Sequence, residues 1–261
     1  MRDELDEQVR RAGRLGGTLG VVAHDLGTGE RAAAGADRRF AAASVIKLPI
    51  LLAVLAEAEA GGRSLDDRLA APPDARVGGS GVVKDLADAA EFSVRDLLTL
   101  MIIVSDNTAT NLLIGMVGMD AVNAWCARHG LHGTVLARVM MDAAARERGE
   151  ENLTTPADIA ALLTGLVRGE LLGERATARA LDVLSRQQLN DRLPRHLPAG
   201  VTLAHKTGEL AGVCHDAGIV LPGDRAPIVV VAMTEGIENE HDAAALISDT
   251  GRALYAATGL T

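Results

Sequence analysis

Only two cysteines, Cys126 and Cys214, occur in 261 residues, and they stand far apart in the sequence. They support neither a disulfide framework nor a zinc-ligand cluster, and read as buried, small apolar residues. The seven histidines are scattered, with no pair at the helix-face spacing of a metal site. No metal or other cofactor is expected. No apolar run approaches the length of a membrane span, which argues against insertion in a bilayer. The net charge is −9, and the Lys and Arg residues form no stripe, so a phosphate-backbone partner such as nucleic acid is not expected. Lysine is scarce as well. Of 26 basic residues only Lys47, Lys84 and Lys206 are lysines, so arginine is the default cation and a retained lysine invites an explanation.

A 48% hydrophobic and 23% charged composition describes a globular chain, long enough for one large domain or for a sheet domain carrying a helical insertion. Residues Met1 through Arg14 are charged and helical in character. The sequence as it stands therefore reads as cytoplasmic, or as secreted if a native leader has been removed.

Thr18 to Leu26 is strand-like, Gly27-Thr28-Gly29 supplies a turn, and Glu30 to Ala34 returns antiparallel. The apolar stretch from Val45 to Ala60 is too long for a strand and predicts a buried helix with Ser44 at its start. Ser93 and Asp96 form a capping-box pattern for a helix through about Val104. Ser105-Asp106-Asn107 interrupts it, and helical pattern resumes from Thr108 and again from Asp120 to His129. Leu131 to Leu153 reads as a long loop. Thr155-Pro156 opens another helix, and a further one runs up to about Gln188. Val201–Lys206, Val213–Leu221 and Ile228–Thr234 read as strands, before a last helix from about His241. The adjacent pairs His215-Asp216 and His241-Asp242 read as ordinary surface or strand-end hydrogen bonding.

The pattern predicts an α+β fold: an antiparallel sheet built from both termini, flanked by helices, with a central all-helical lobe. We expect a single domain over 1–261, with an α/β lobe at about 1–43 and 200–261 and a helical lobe at about 44–199. A cleft between the lobes is the natural site.

Lys47 stands in the run Ser-Val-Ile-Lys-Leu-Pro-Ile-Leu-Leu, three residues after Ser44 and among apolar side chains. Lysine loses its proton when desolvated and arginine does not. A neutral lysine one helical turn from a serine can take the hydroxyl proton as the oxygen attacks. Taken alone, this S-x-x-K is equally a helix-cap serine with a snorkelling lysine. Ser105-Asp106-Asn107 alone is a common cap between helices, and Lys206-Thr207-Gly208 alone is a strand end followed by a turn. In this order, on these predicted elements, the three form the S-x-x-K, S-D-N and K-T-G set of class A β-lactamases and penicillin-binding proteins.

The chain resembles the class A β-lactamase family over nearly its whole length, from Val21-Val22-Ala23-His24-Asp25-Leu26 through Phe40-Ala41-Ala42-Ala43-Ser44 to His215-Asp216-Ala217-Gly218-Ile219. The resemblance implies a β-lactamase/transpeptidase-like fold and a serine acyl hydrolase, monomeric, that acts on a small-molecule acyl substrate. It implies that Ser44 is acylated, that Lys47 is the general base and that Ser105 relays a proton to the leaving nitrogen. By the same resemblance Asn107 holds the substrate amide, and Lys206 and Thr207, followed by Gly208, hold the substrate carboxylate. The backbone N–H groups of Ser44 and Glu209 would form the oxyanion hole.

Two departures stand out. The family's hydrolytic loop carries a Glu-x-x-Leu-Asn pattern that Met140 to Asn152 lacks. This leaves Glu147, Glu150 and Glu151 as candidates by composition, with surface exposure as the simpler reading of all three. The strand after Lys206-Thr207-Gly208 carries no arginine before Leu221, and Glu209 adds negative charge beside the carboxylate subsite. Three functions stay open: a β-lactam hydrolase with slow deacylation, an esterase or peptidase with the same nucleophile, and a catalytically silent binding protein.

Overall fold

The computed structural model describes residues 2–87 and 90–260; Met1 of the expected first helix lies outside them. In chain order the elements are α1 (Arg2–Arg14), β1 (Thr18–Asp25), β2 (Arg31–Ala34), β3 (Phe40–Ala41), α2 (Lys47–Glu59), β4 (Arg68–Ala70) and β5 (Glu91–Ser93). There follow α3 (Val94–Ile103), α4 (Asn107–Val117), α5 (Met119–Arg128), α6 (Ala143–Glu147), β6 (Leu153–Thr154), α7 (Pro156–Val167) and α8 (Glu174–Ser185). The chain closes with β7 (Thr202–Leu210), β8 (Val213–Leu221), β9 (Ile228–Glu235) and α9 (Glu240–Ala257).

Five strands form an antiparallel sheet in the order β2-β1-β9-β8-β7, so both termini contribute, as expected. Alternation along β9 shows why its sequence is almost continuously apolar. Val229, Val231 and Met233 join a core with α2 and α7, while Ile228, Val230 and Ala232 join a second core under α1 and α9. A strand covered on both faces has no solvent side on which to place polar residues. The terminal helices lie together on that second face, where Arg11 Nη1 meets Asp249 Oδ2 at 2.6 Å.

Helix α2 lacks an amphipathic period because every residue from Lys47 to Leu55 is buried, the pattern of a helix surrounded by protein. The capping box at Ser93 and Asp96 forms in both directions, and such a cap contributes about 1 kcal/mol. Thr155 caps α7 through Asp158 N, with Pro156 in the first turn. The expected long loop, Leu131 to Leu153, contains the short helix α6 and runs into the strand β6, which pairs with β3 (Ala41↔Leu153, Phe40↔Thr154).

Two readings need correction. Lys206 does not end its strand: β7 continues through Thr207, Gly208 and Glu209 to Leu210, each paired with β8. His215 and Asp216 are not surface or strand-end residues but fully buried in the middle of β8. Asp216 accepts from Leu193 N (3.1 Å) and pairs with His205 Nδ1 (2.8 Å), and His215 Nε2 meets Ala41 O (2.9 Å). Buried polar groups need such partners, and here they bind β8 to β7 and to β3. Both cysteines are free and buried, and burial pushes each thiol up to about 12.

Candidate active site

A kink at Ala43, with φ of 46°, begins the site. The helix predicted to start at Val45 is preceded by a 3₁₀ turn over Ala43–Ile46, and α2 begins at Lys47. Residues i and i+3 eclipse in 3₁₀ geometry, so Ser44 and Lys47 share one side of the turn. Ser44 lines a cavity of about 300 Å³ with Ala43, Asn107, Met140 and Glu209.

Lys47 is fully buried. Its Nζ reaches Ser105 O (2.7 Å), Ser105 Oγ (3.1 Å) and Asn107 Oδ1 (2.9 Å), which joins the first two motifs directly. Burial, reinforced by the charge of Lys206 and opposed by Asp106, holds this amine well below the usual lysine range. A neutral amine keeps two donors, for Ser105 O and Asn107 Oδ1, and offers its lone pair to a hydroxyl. Lys206 is also fully buried and donates to Thr207 O (2.8 Å). Burial brings it down to about 7, with Asp216 opposing the shift and Arg192 adding to it.

Gly208 has a steric reason. A Cβ there would lie 3.1 Å from Val45 Cγ2 and 3.2 Å from Ala43 Cβ, so the missing side chain lets edge strand β7 run against the turn that carries Ser44. Gly81 has another: its φ is 106° and a Cβ would lie 2.3 Å from the Asp106 carboxylate.

Asp106, given no role from sequence, organises the far wall. Its Oδ1 caps α4 through Ala109 N (2.8 Å), while Oδ2 accepts from Val82 N (2.6 Å) and Val83 N (2.8 Å). Asn107 donates from Nδ2 to Gly78 O (3.1 Å). The Ser-Asp-Asn segment therefore folds the 78–83 loop over the site. One helical turn on, Asn111 takes Met140 N (2.8 Å) on Oδ1 and gives Nδ2 to Met140 O (3.0 Å), fixing the backbone of a nearly buried methionine in the cavity wall. Spacing of i and i+4 from Asn107 was the only signal for Asn111.

The loop glutamates divide. Glu147 and Glu150 are exposed and do not line the cavity, and Arg148 holds the Glu150 carboxyl below its usual range. Glu151 does line it, but is occupied: it accepts from Arg138 Nη2 (2.7 Å) and Asn152 N (2.9 Å), closing the neck of the loop. Asp142, also in the wall, caps α6 through Ala145 N (2.9 Å).

Arg192 is the residue that motif reading could not find. It comes from the 3₁₀ turn region before β7, is almost fully buried, and pairs with the Glu209 carboxylate. Its Nη1 donates to Gly208 O (3.2 Å) and His215 O (3.1 Å). Among the described residues no cluster of three or more His, Cys, Asp or Glu could hold a metal ion, and no helix is long and apolar enough to cross a membrane.

Ala43, Ser105 and Met141 are the non-glycine residues with positive φ among those described, at 46°, 56° and 64°. Ala43 and Met141 line the cavity and Ser105 contacts Lys47, so left-handed backbone is concentrated at the site. Met141 is about half exposed, and Met141→Gly is expected to stabilise the fold by about 1 kcal/mol. A denaturant midpoint that stays or falls counts against this.

The model of the beta-lactamase enzyme family matches residues 2–258. A β-lactamase of Streptomyces lavendulae is 34% identical over 251 residues, covering 92% of this chain and 82% of the relative. That of Streptomyces albus G is 32% identical, covering 94% and 81%. Among solved structures, a β-lactamase from Sphaerobacter thermophilus superposes with a TM-score of 0.94 at 37% identity, covering 99% of this chain and 98% of the other. PBP-A superposes with a TM-score of 0.91 at 31% identity, covering 98% and 96%, and a mutant of it is solved as an acyl-enzyme complex with penicillin G. With a family match over residues 2–258 and relatives above 30% identical over most of its length, this chain belongs to the beta-lactamase enzyme family.

Proposed function

We propose that this protein is a monomeric serine acyl hydrolase that opens β-lactams through an acyl-enzyme on Ser44. The observation that carries the reading is the buried Lys47 amine, hydrogen-bonded to Ser105 and Asn107 beside the Ser44 turn. Ser44 Oγ attacks the lactam carbonyl and gives its proton to neutral Lys47. Negative charge on the carbonyl oxygen falls to the backbone N–H groups of Ser44 and Glu209, which the approach of β7 to the Ser44 turn supports. The C–N bond then breaks, and the leaving nitrogen takes a proton through Ser105, within 3.1 Å of Lys47 Nζ. Asn107 holds the substrate amide. Lys206 biases Lys47 toward its neutral form, and from behind the β7 wall, with Arg192, it draws a substrate carboxylate toward that side of the cavity. The scheme uses no metal and no organic cofactor.

A penicillin-binding reading, acylation with little turnover, has its own support: Glu151 is tied to Arg138 and Asp142 to a helix cap, so neither loop carboxylate in the wall is free to activate water. Intact-protein mass spectrometry after mixing with penicillin tests both readings. A single adduct on Ser44, absent from Ser44→Ala, is expected. Labelling that persists in Ser44→Ala removes Ser44 from the nucleophile's place.

A further inference from the structure

The charge on the β7 wall of the cavity is opposite to what an anionic acyl donor needs. Lys206 and Arg192 are the cations behind that wall, yet neither lines the cavity; Glu209 does. The Glu209 carboxylate is bound to Arg192 Nη2 while its side chain stays 54% exposed. Arg192 Nε is buried without a hydrogen-bond partner and stands 3.7 Å from Asp191 Oδ1. The guanidinium is thus incompletely satisfied, and the ligand it does hold comes from its own chain. On the loop side the cavity carries Arg138, which is paired with Glu151, and the exposed Arg146.

We propose that Glu209 is a specificity-determining residue: its carboxylate occupies the place beside Arg192 that a substrate carboxylate would take. The site then favours acyl donors that are neutral next to the scissile bond, and accepts anionic ones only as Glu209 swings into solvent. This rests on the reading of Ser44 as nucleophile. The selection is physical. Two carboxylates within a few ångströms of each other repel, and the one already held must be released before the second can pair. High exposure of the Glu209 side chain keeps that release open, so the residue grades substrates and does not block the site.

The test compares benzylpenicillin with its methyl ester, which share the lactam ring and leaving nitrogen and differ in the carboxylate. Acylation rates of Ser44 are read from intact-mass time courses for the natural protein and for Glu209→Gln. We expect the natural protein to favour the ester, and the acid-to-ester rate ratio to rise on the order of tenfold in Glu209→Gln, the gain expected from removing one partly exposed charge nearby. Glu209→Ala should move the ratio in the same direction. A ratio that is unchanged or lower in both variants, with Ser44 still labelled, overturns the role of Glu209. Absence of any Ser44 adduct from either compound overturns the nucleophile assignment itself, and the proposal with it.

Discussion

Replacing Lys47 with alanine is expected to slow acylation of Ser44 by about 10²–10⁴-fold, the range general-base catalysis supplies, and arginine should serve no better. The argument is one of proton affinity in a closed space. Lys47 has no contact with solvent, and its depressed pKa, from burial and from Lys206, raises the fraction of free amine at any given pH. Guanidinium stays charged under the same conditions and overfills the pocket besides. In the natural protein acylation should climb as pH rises through the depressed lysine pKa and level off above it. The alanine variant should lose that limb. Rates of adduct formation across pH, with circular dichroism as a check on folding, decide the matter. Near-natural acylation in the alanine variant takes the base role away from Lys47.

The second large effect concerns turnover. With penicillin the natural protein should give a stoichiometric burst and then a long-lived adduct, because the cavity wall facing the loop offers methionine where water needs a base. Met140→Glu should shorten the life of that adduct by about 10²-fold or more. Position 140 is suited to this by construction: Asn111 grips its backbone N–H and carbonyl, and its side chain is nearly buried in the wall shared with Ser44. Burial there should also keep a new carboxyl basic enough to take a proton from water. Steady-state hydrolysis and the decay of the mass adduct measure it. A lifetime unchanged in Met140→Glu places the hydrolytic base elsewhere, and rapid burst-free hydrolysis by the natural protein shows that no base is missing.

How much of this was legible in the sequence depended on whether the signal was local. Periodicity gave the long strands and helices but not the short β3, β4, β5, β6 and α6, which carry too few residues to show a period, and the capping box at Ser93 was readable because both partners lie within four residues. Ser44, Lys47, Ser105 and Asn107 were legible because three short motifs carry them. The 3₁₀ turn before Lys47 was not, since it begins at a left-handed Ala43 and lies against β7, a contact between distant segments. Arg192 escaped for the same reason: a search along the strand for a cation finds none, while the fold delivers one from the preceding turn. Asp106 stood inside a motif, but its hold on Val82 and Val83 exists only once the 78–83 loop folds back. The Glu151 carboxylate could be counted as a candidate, but only its pairing with Arg138 shows it to be engaged.

The sheet order has a consequence in time. Strand β1 ends at Asp25, and the partner it needs, β9, begins at Ile228. At ribosomal rates of about 5–20 residues per second, β1 waits roughly 10–40 s for that partner to be made. During this wait the hairpin with β2 leaves one long edge of β1 unpaired and apolar, the kind of edge on which chains aggregate. The central helices, whose contacts are closer in sequence, can collapse first. The nascent chain is therefore most exposed just before its last strands arrive, and its yield in a cell should respond to chaperones that cover N-terminal strands more than to changes in the helices.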